Sequence, residues 1–432
     1  MENTTFTLEA SEKWSNFQKI AFRFCFLFFT LHIFPFPIGD IPVVGEFIST
    51  QYENFWNTLV NGGGKIFFKI PEITVKPNGS GDTTWNWVQE FLILLLSAIG
   101  CFIWSLFDHK RTDYRGLNYW NNVWIRYCLG FTMLSYGIYK IFPSQFGTIT
   151  SYRLYQQLGD MSPMGLLWTF MAYSTKYQFF AGLMECIGGA LLLFRRTTLL
   201  GALISVSVMV NVFALNMCYD VPVKLYSFLL ILMAIYLAAP DFQRLLSFFI
   251  LQKPTAAPPQ YQPSFSDKKW YKVTRIALKT LMILGIIIPL FIQMFDREDM
   301  RKSPLTAFYG PYNVSKHIKN GVELPLTDSL RWEKFFIDRR GFANNIYASN
   351  EMGVRDRIFF EKNDSTKTVE FSTVKDTTHY LFTYQQPDST TLIFDGKLGN
   401  DSLHIELLKQ KNKDFLLVKR GFHWINEAPF NK

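Results

Sequence analysis

The sequence has few charged residues and few cysteines, and each shortage excludes a class of protein. Only 18% of the 432 residues are charged and 49% are hydrophobic, a balance too apolar for an ordinary soluble protein of this length. No two of the five cysteines are spaced as Cys-x-x-Cys, so a thioredoxin-like dithiol and a zinc ribbon are excluded. We interpret the cysteines as small buried side chains. Redox chemistry would therefore have to use other groups.

The formal net charge of +9 suggests a nucleic-acid partner at first sight, but the position of the charges argues against it. Much of the basic excess lies in short runs beside apolar segments, where the positive-inside rule already places it. We predict no nucleic-acid partner. The predicted environment is the lipid bilayer.

Seven segments are long and apolar enough to be predicted as membrane spans, since a helix needs about 20 apolar residues to cross about 30 Å of hydrocarbon. They are residues 17–36, 87–107, 123–142, 177–194, 198–218, 221–239 and 276–295. Basic residues follow the second, fourth and sixth spans, so these connections share one side. The positive-inside rule therefore predicts an inner-membrane protein with a cytoplasmic amino terminus and a periplasmic carboxyl-terminal domain.

The predicted fold class is a mainly α membrane protein with a carboxyl-terminal antiparallel β sandwich or barrel. We divide the chain into two spans with an external loop, a four-helix membrane bundle, a proline-rich cytoplasmic linker, a seventh span and an external β-rich domain. The boundaries are 1–119, 120–252, 253–269, 270–298 and 299–432.

The β-rich domain is predicted from short alternating runs separated by turn signals. The predicted strands are residues 356–361, 368–374, 378–385, 390–394, 402–408 and 415–419. Residues 309–340 mix polar and apolar positions, and we predict them to be helical or irregular. The ending at residues 420–427 is predicted to close the barrel with a buried Trp424. His379, His404 and His423 lack ligand spacing, so no metal site is predicted.

Glu185 is the strongest functional candidate, because an ionisable residue inside a span is costly and needs a reason. Arg126 and Lys140 are its possible cationic partners, and one carboxylate cannot reach both. A structural ion pair and a working proton or cofactor site are both open. The flanking Gly182 and Gly189 favour the working site, since they leave space that a packing contact would not need.

Polar residues near the external end of the fifth span form the predicted cofactor-binding set. Asn211, Asn216 and Tyr219 lie there, and His32 near the end of the first span is placed with them. Such groups also serve as hydrogen-bonding contacts between helices, which is the alternative.

Two short motifs resemble the DoxX family of membrane proteins. The first is WIRYCLG with YGIYKIF, which contains Arg126, Gly130 and Lys140, and the second is GLMECIGGALLL around Glu185. The similarity covers residues 120–250. The whole arrangement resembles the long DoxX-like proteins of Bacteroidota that end in a β domain.

This resemblance implies a four-helix membrane bundle in a family linked to quinone and sulfur redox metabolism. It places Glu185, Arg126 and Lys140 as the catalytic candidates and a quinone as the possible cofactor. We therefore expect a quinone-linked oxidoreductase subunit that works with a periplasmic protein partner. The alternative is a non-enzymatic scaffold or transporter-like assembly protein whose outer β domain binds a partner.

Overall fold

Long helices form the first two thirds of the chain, and every described strand follows residue 309. The computed structural model describes residues 13–73, 79–255, 268–302, 308–340, 343–350, 355–373, 379–411 and 415–431. The helices are α1 (Asn16–Ile33), α2 (Val44–Phe68), α3 (Thr84–Phe107), α4 (Arg115–Ile141), α5 (Ser151–Tyr155), α6 (Pro163–Tyr173), α7 (Thr175–Leu192), α8 (Thr198–Cys218), α9 (Lys224–Ala238), α10 (Phe242–Phe249), α11 (Lys269–Met282), α12 (Ile288–Lys302) and α13 (Leu416–Lys419).

The chain divides into two units. The first contains Met1–Gln145 and Lys176–Gln293 and is helical, and the second combines Phe146–Thr175 with Met294–Lys432. The segment between α4 and α7, predicted as part of the membrane bundle, is thus grouped with the carboxyl-terminal domain. Most of the predicted linker, residues 256–267, lies outside the described residues.

Among the described residues, five helical stretches are long and apolar enough to cross a membrane. They are Asn16–Asp40, Thr84–Phe107, Arg195–Cys218, Lys224–Phe249 and Lys269–Arg297. Each of the seven predicted spans falls on a helix, but α4 and α7 are not among these five stretches. The last stretch runs through α11, a π turn at Ile283–Ile287 and α12. The helical unit is therefore suited to a lipid bilayer.

Local signals set the ends of the first and third helices. Ser15 accepts a hydrogen bond from the backbone of Gln18 and Thr83 accepts one from that of Asn86, and in both cases the second side chain bonds back to the cap. Such reciprocal caps satisfy the first free N–H groups of a helix. After α1 the prolines at 35 and 37 prevent the helix from continuing.

The predicted external loop between the first two spans contains the 25-residue helix α2. Its buried Trp56 and Val60 belong to the main apolar core of the helical unit. A Cβ atom at Gly63 would lie 2.9 Å from the side chain of Leu92 in α3, so α2 packs closely on α3. The segment is hence an ordered part of the helical unit.

The second unit is built on an eight-stranded antiparallel barrel. The strands are β1 (Gly310–Lys319), β2 (Val322–Glu323), β3 (Lys334–Arg340), β4 (Ala343–Ser349), β5 (Arg355–Asn363), β6 (Thr368–Thr373), β7 (His379–Gln385), β8 (Thr391–Leu398) and β9 (Asp401–Lys409). Neighbours pair in chain order from β3 to β9, and β1 pairs with both β3 and β9. Tyr312 lies opposite Lys409 in the closing pair. The two-residue β2 only extends β1.

Large side chains fill the inside of the barrel. Eighteen buried hydrophobic residues form one cluster, including Phe335, Phe382 and Phe394, which are fully buried. Eight strands give an interior just wide enough for side chains. The barrel therefore has a packed core.

Three predictions for this domain are wrong. Residues 309–340 contain strands β1, β2 and β3, where helical or irregular structure was expected. Residues 416–419 form the short helix α13, where a strand was expected. Trp424 is 91% exposed and does not close the barrel. The other five predicted strands are confirmed as β5 to β9, apart from their masked ends.

The short helix α5 covers part of the outer wall of the barrel. The ring of Tyr152 stacks on that of Tyr347 with centroids 4.9 Å apart, and Tyr155 lies 5.3 Å from Phe336. Phe336 is consequently buried although it lies beside the inward-facing Phe335 and Ile337. The connection between α4 and α7 is thus fixed to strands β3 and β4.

Asp338 is a buried carboxylate beneath α5. Neither of its oxygens has a hydrogen-bond partner of normal geometry in the described part of the chain. Burial raises the pKa of Asp338 to about 6, and the nearby backbone amides of Tyr152 and Ser151 offset only part of the rise. The folded protein hence holds a proton here at pH values where the unfolded chain has lost it.

We predict that Asp338 makes the barrel unit less stable as pH rises from about 4 to about 6. The folded state binds more protons than the unfolded state in this window, so stability is full below the ordinary pKa of 3.8 and is lost through the raised pKa. The loss is at most about 3 kcal/mol. Asp338→Asn should flatten this dependence in thermal unfolding of the full chain, followed by the sheet signal in circular dichroism.

Asp388→Asn is the matched control. Hydrogen bonds from Thr390 and Thr391 lower the pKa of Asp388 to about 2, so its titration lies outside the window. The control should keep the wild-type slope. An unchanged slope in Asp338→Asn would contradict the assignment.

Candidate functional site

Glycines bring α4 and α7 into backbone contact. A Cβ atom at Gly182 would lie 2.5 Å from the carbonyl oxygen of Gly137, and one at Gly189 would lie 2.6 Å from that of Gly130. Gly130 and Gly137 are seven residues apart on α4, as Gly182 and Gly189 are on α7. Both contacts therefore lie on one face of each helix. Small residues at such positions allow helices in lipid to approach closely. The space beside Gly182 and Gly189 is therefore filled by α4.

Lys140 and Glu185 form a buried ion pair beside this contact. The Nζ of Lys140 donates to Oε1 and Oε2 of Glu185 at 2.6 and 2.7 Å. The side chains are only 7% and 2% exposed. Lys140 lies three residues after Gly137 and Glu185 three residues after Gly182, so the glycine contact sets the distance between them. Lys140 also lies in the last turn of α4, where the helix dipole favours a cation.

Arg126 takes no part in this pair. Its guanidinium lies 5.2 Å from the ring of Tyr127, and its Nε has no hydrogen-bond partner among the described residues. Of the two cations that the sequence offered to Glu185, the structure selects Lys140. Of the three predicted catalytic residues, Lys140 and Glu185 thus form a pair, and Arg126 is a separate charge.

The four residues predicted to bind a cofactor lie at different places in the helical unit and have different contacts. Asn211 is exposed, and buried Asn216 donates to the hydroxyl of Ser227, which joins α8 to α9 at 3.0 Å. Tyr219 follows the end of α8, where its backbone N–H bonds to Leu215. No hydrogen bond links any two of the four in the described ranges.

His32 instead forms a second ionisable pair with Glu90 of α3. Its Nε2 lies 2.8 Å from Oε2 of Glu90, and its Nδ1 lies 2.9 Å from the carbonyl oxygen of Phe28. Because a carbonyl oxygen only accepts, Nδ1 of His32 is the donor to Phe28 and Nε2 faces the Glu90 carboxyl group. Glu90 was missed in the sequence, although the rule that singled out Glu185 applies to it equally.

Arg23 of α1 is a further buried charge, and it is absent from the predicted site residues. Its guanidinium donates to the hydroxyls of Tyr114 and Ser105 and to the carbonyl oxygen of Asp108, at 2.8 to 2.9 Å. The Tyr114 hydroxyl in turn donates to the Asp108 carboxylate. This network ties the start of α1 to the end of α3 and the start of α4.

One groove of the helical unit lies apart from the two ionisable pairs. It measures about 510 Å³ between α1 and α3 and is lined by apolar side chains with Cys101 and Ser105. None of the paired residues lines it. No group of three or more metal-ligating residues occurs in the described part of the chain.

Comparison with known proteins shows a similarity over part of the chain. No family model matches the chain, and no solved structure matches it. The uncharacterized protein YwoB of Bacillus subtilis is 32% identical over 126 residues, which are 29% of this chain and 79% of the Bacillus protein. The chain belongs to the family of YwoB. Membership of the DoxX family stays a prediction.

We predict that Gly182→Ala destabilises the helical unit. Its added methyl would meet the backbone of Gly137 and Ile141, which can give way only if the helices separate. Overpacking of this kind costs about 1–3 kcal/mol. Thermal unfolding of the detergent-solubilised protein measures the change.

Gly62→Ala is the matched control, because Gly62 also lies in a helix and nothing lies within 4 Å of its Cβ position. This substitution should leave stability unchanged or raise it by up to about 1 kcal/mol, from helix propensity alone. Equal effects of both substitutions would contradict the close contact of α4 and α7.

Proposed function

We propose that the chain is a seven-span inner-membrane protein that acts as a non-enzymatic scaffold and presents its barrel domain to a protein partner in the periplasm. The close packing around the buried ion pair of Lys140 and Glu185 is the observation that supports this proposal. A bidentate ion pair leaves few free lone pairs on the carboxylate, and the glycine contact fills the adjoining space. The geometry supports a role in fixing α4 against α7.

The barrel supports the same role. Its interior is occupied by large side chains, so a small ligand would have to bind elsewhere. A ligand of the barrel would therefore bind on its outer surface. The outer surface of a closed barrel is suited to a protein partner.

A quinone-linked redox subunit is the second candidate. The observation in its favour is that two ionisable pairs, Lys140 with Glu185 and His32 with Glu90, lie within helices of the apolar unit. Ionisable residues among membrane helices are costly and often serve proton or cofactor chemistry. The resemblance to the DoxX family supports this candidate too.

The seven-span topology is tested by reporter fusions. With the amino terminus in the cytoplasm, an alkaline-phosphatase fusion after residue 431 should be active and a green-fluorescent-protein fusion there should be dark. A fusion in the 253–255 linker segment should show the opposite pattern. A fluorescent carboxyl-terminal fusion would reverse the whole topology.

We predict that Glu185→Gln lowers the free energy of unfolding by about 3–5 kcal/mol, because it leaves the buried ammonium of Lys140 unpaired. The double variant Lys140→Met/Glu185→Gln should recover most of this loss. Glu90→Gln is the control, since Glu90 is 26% exposed and its loss should cost less. Thermal unfolding in detergent gives all three values.

The quinone content of the same purified proteins separates the two candidate functions. The scaffold requires no bound quinone in any variant. Quinone that co-purifies with the wild type and is lost in a normally stable Glu185→Gln variant would favour the redox subunit over the scaffold.

A further inference from the structure

The segment after the barrel exposes a dense set of large apolar side chains. We call residues 416–430 the apolar tail. Phe422 is 71% exposed, Trp424 91% and Ile425 77%, and the three apolar residues of α13 are about half exposed. The rings of Phe422 and Trp424 are in contact, with centroids 5.1 Å apart. A patch of this kind on a folded domain usually marks a binding surface.

The tail also has a defined local structure. Arg420 donates to the side chain of Asn426 at 2.6 Å, and its guanidinium lies 4.2 Å from the ring of Phe430. The cation Lys419 precedes it at the end of α13. Apolar, aromatic and basic groups therefore lie together.

This combination matches the interfacial zone of a bilayer. Tryptophan is enriched at the level of the lipid head groups, where its ring is partly apolar and its N–H remains hydrated. Lys419 and Arg420 complement anionic head groups. A bilayer also covers such a patch without the shape complementarity that a protein partner needs.

The tail belongs to a domain that is covalently joined to the helical unit. Phe415, which precedes the tail, contacts Tyr155 of α5 with ring centroids 4.8 Å apart. The segment with α5 follows α4 directly, and the barrel itself follows α12. Because the domain is already tethered by these helices, contact of the tail with lipid is an intramolecular step at high effective concentration.

We propose that the apolar tail inserts into the interfacial zone of the bilayer that holds the helices and thereby seats the barrel on the membrane surface. Trp424, Phe422 and Ile425 enter the lipid, while Lys419 and Arg420 contact the head groups. This proposal depends on the membrane location of the helices and not on the scaffold role.

Lipid-borne quenching of tryptophan tests the proposal in the full chain. The protein is placed in nanodiscs of phosphatidylcholine mixed with anionic phosphatidylglycerol, with acyl chains brominated near the head group or unbrominated. The emission of Trp424 is obtained as the difference between wild type and Trp424→Phe, since the chain has eleven tryptophans. Most of this difference should be lost in the brominated discs.

Trp332→Phe is the matched control. Trp332 packs against the barrel core and donates to Asp356 at 3.0 Å, so its emission should be equal in both kinds of disc. If the emission of Trp424 is also equal in both, the tail lies away from lipid and the proposal fails. Equal emission of Trp424 in both kinds of disc, with a change in that emission only when a second protein is added, would assign the tail to a protein partner and overturn the proposal as well.

Discussion

The contact between the backbones of α4 and α7 is the constraint on which the candidate site depends. With no side chain at Gly137 and Gly182, the two helices lie close enough for the Lys140 ammonium to reach both oxygens of Glu185. The ion pair is consequently shielded from water and lipid by the helices that carry it. A larger residue at either glycine would push the two helices apart and so separate the two charges. Helix α8 also approaches α7 closely, because a Cβ atom at Gly201 would lie 2.9 Å from the backbone of Leu192.

The positions of the long helices could be predicted from hydropathy, because a run of about 20 apolar residues has few alternatives. Glu185 and Lys140 could also be found, because both are charges in or beside apolar runs. The role of the neighbouring glycines could not be predicted from the sequence. A glycine in a sequence indicates either an open space or a close contact, and only the position of the second helix decides between them. Helix α2 was missed since its polar residues hide its packing against α3.

In the barrel, the missed strands are those in which the alternating pattern is interrupted. Strand β1 contains a register shift between Val314 and Lys316 in its pairing with β9, which moves later side chains to the other face. Strand β3 buries Phe335, Phe336 and Ile337 in succession, because α5 covers its outer wall. Residues 415–419 have the composition of a strand but no free edge to join, since β9 already pairs with β1. Their conformation was decided by barrel closure, which no local pattern records.

Closure of the barrel by β1 and β9 also fixes an order of events during synthesis. The first strand of the barrel has no closing partner until Asp401–Lys409, the last described strand, has left the ribosome. Helix α5 is made much earlier, between α4 and α7, and its two tyrosines have no surface to cover until β3 and β4 exist. The segment between α4 and α7 must therefore wait, with Tyr152 and Tyr155 uncovered, for a domain that is still being translated. Pairing of residues so distant in the chain is slow, so this interval is where the nascent protein is most open to aggregation or to capture by a chaperone.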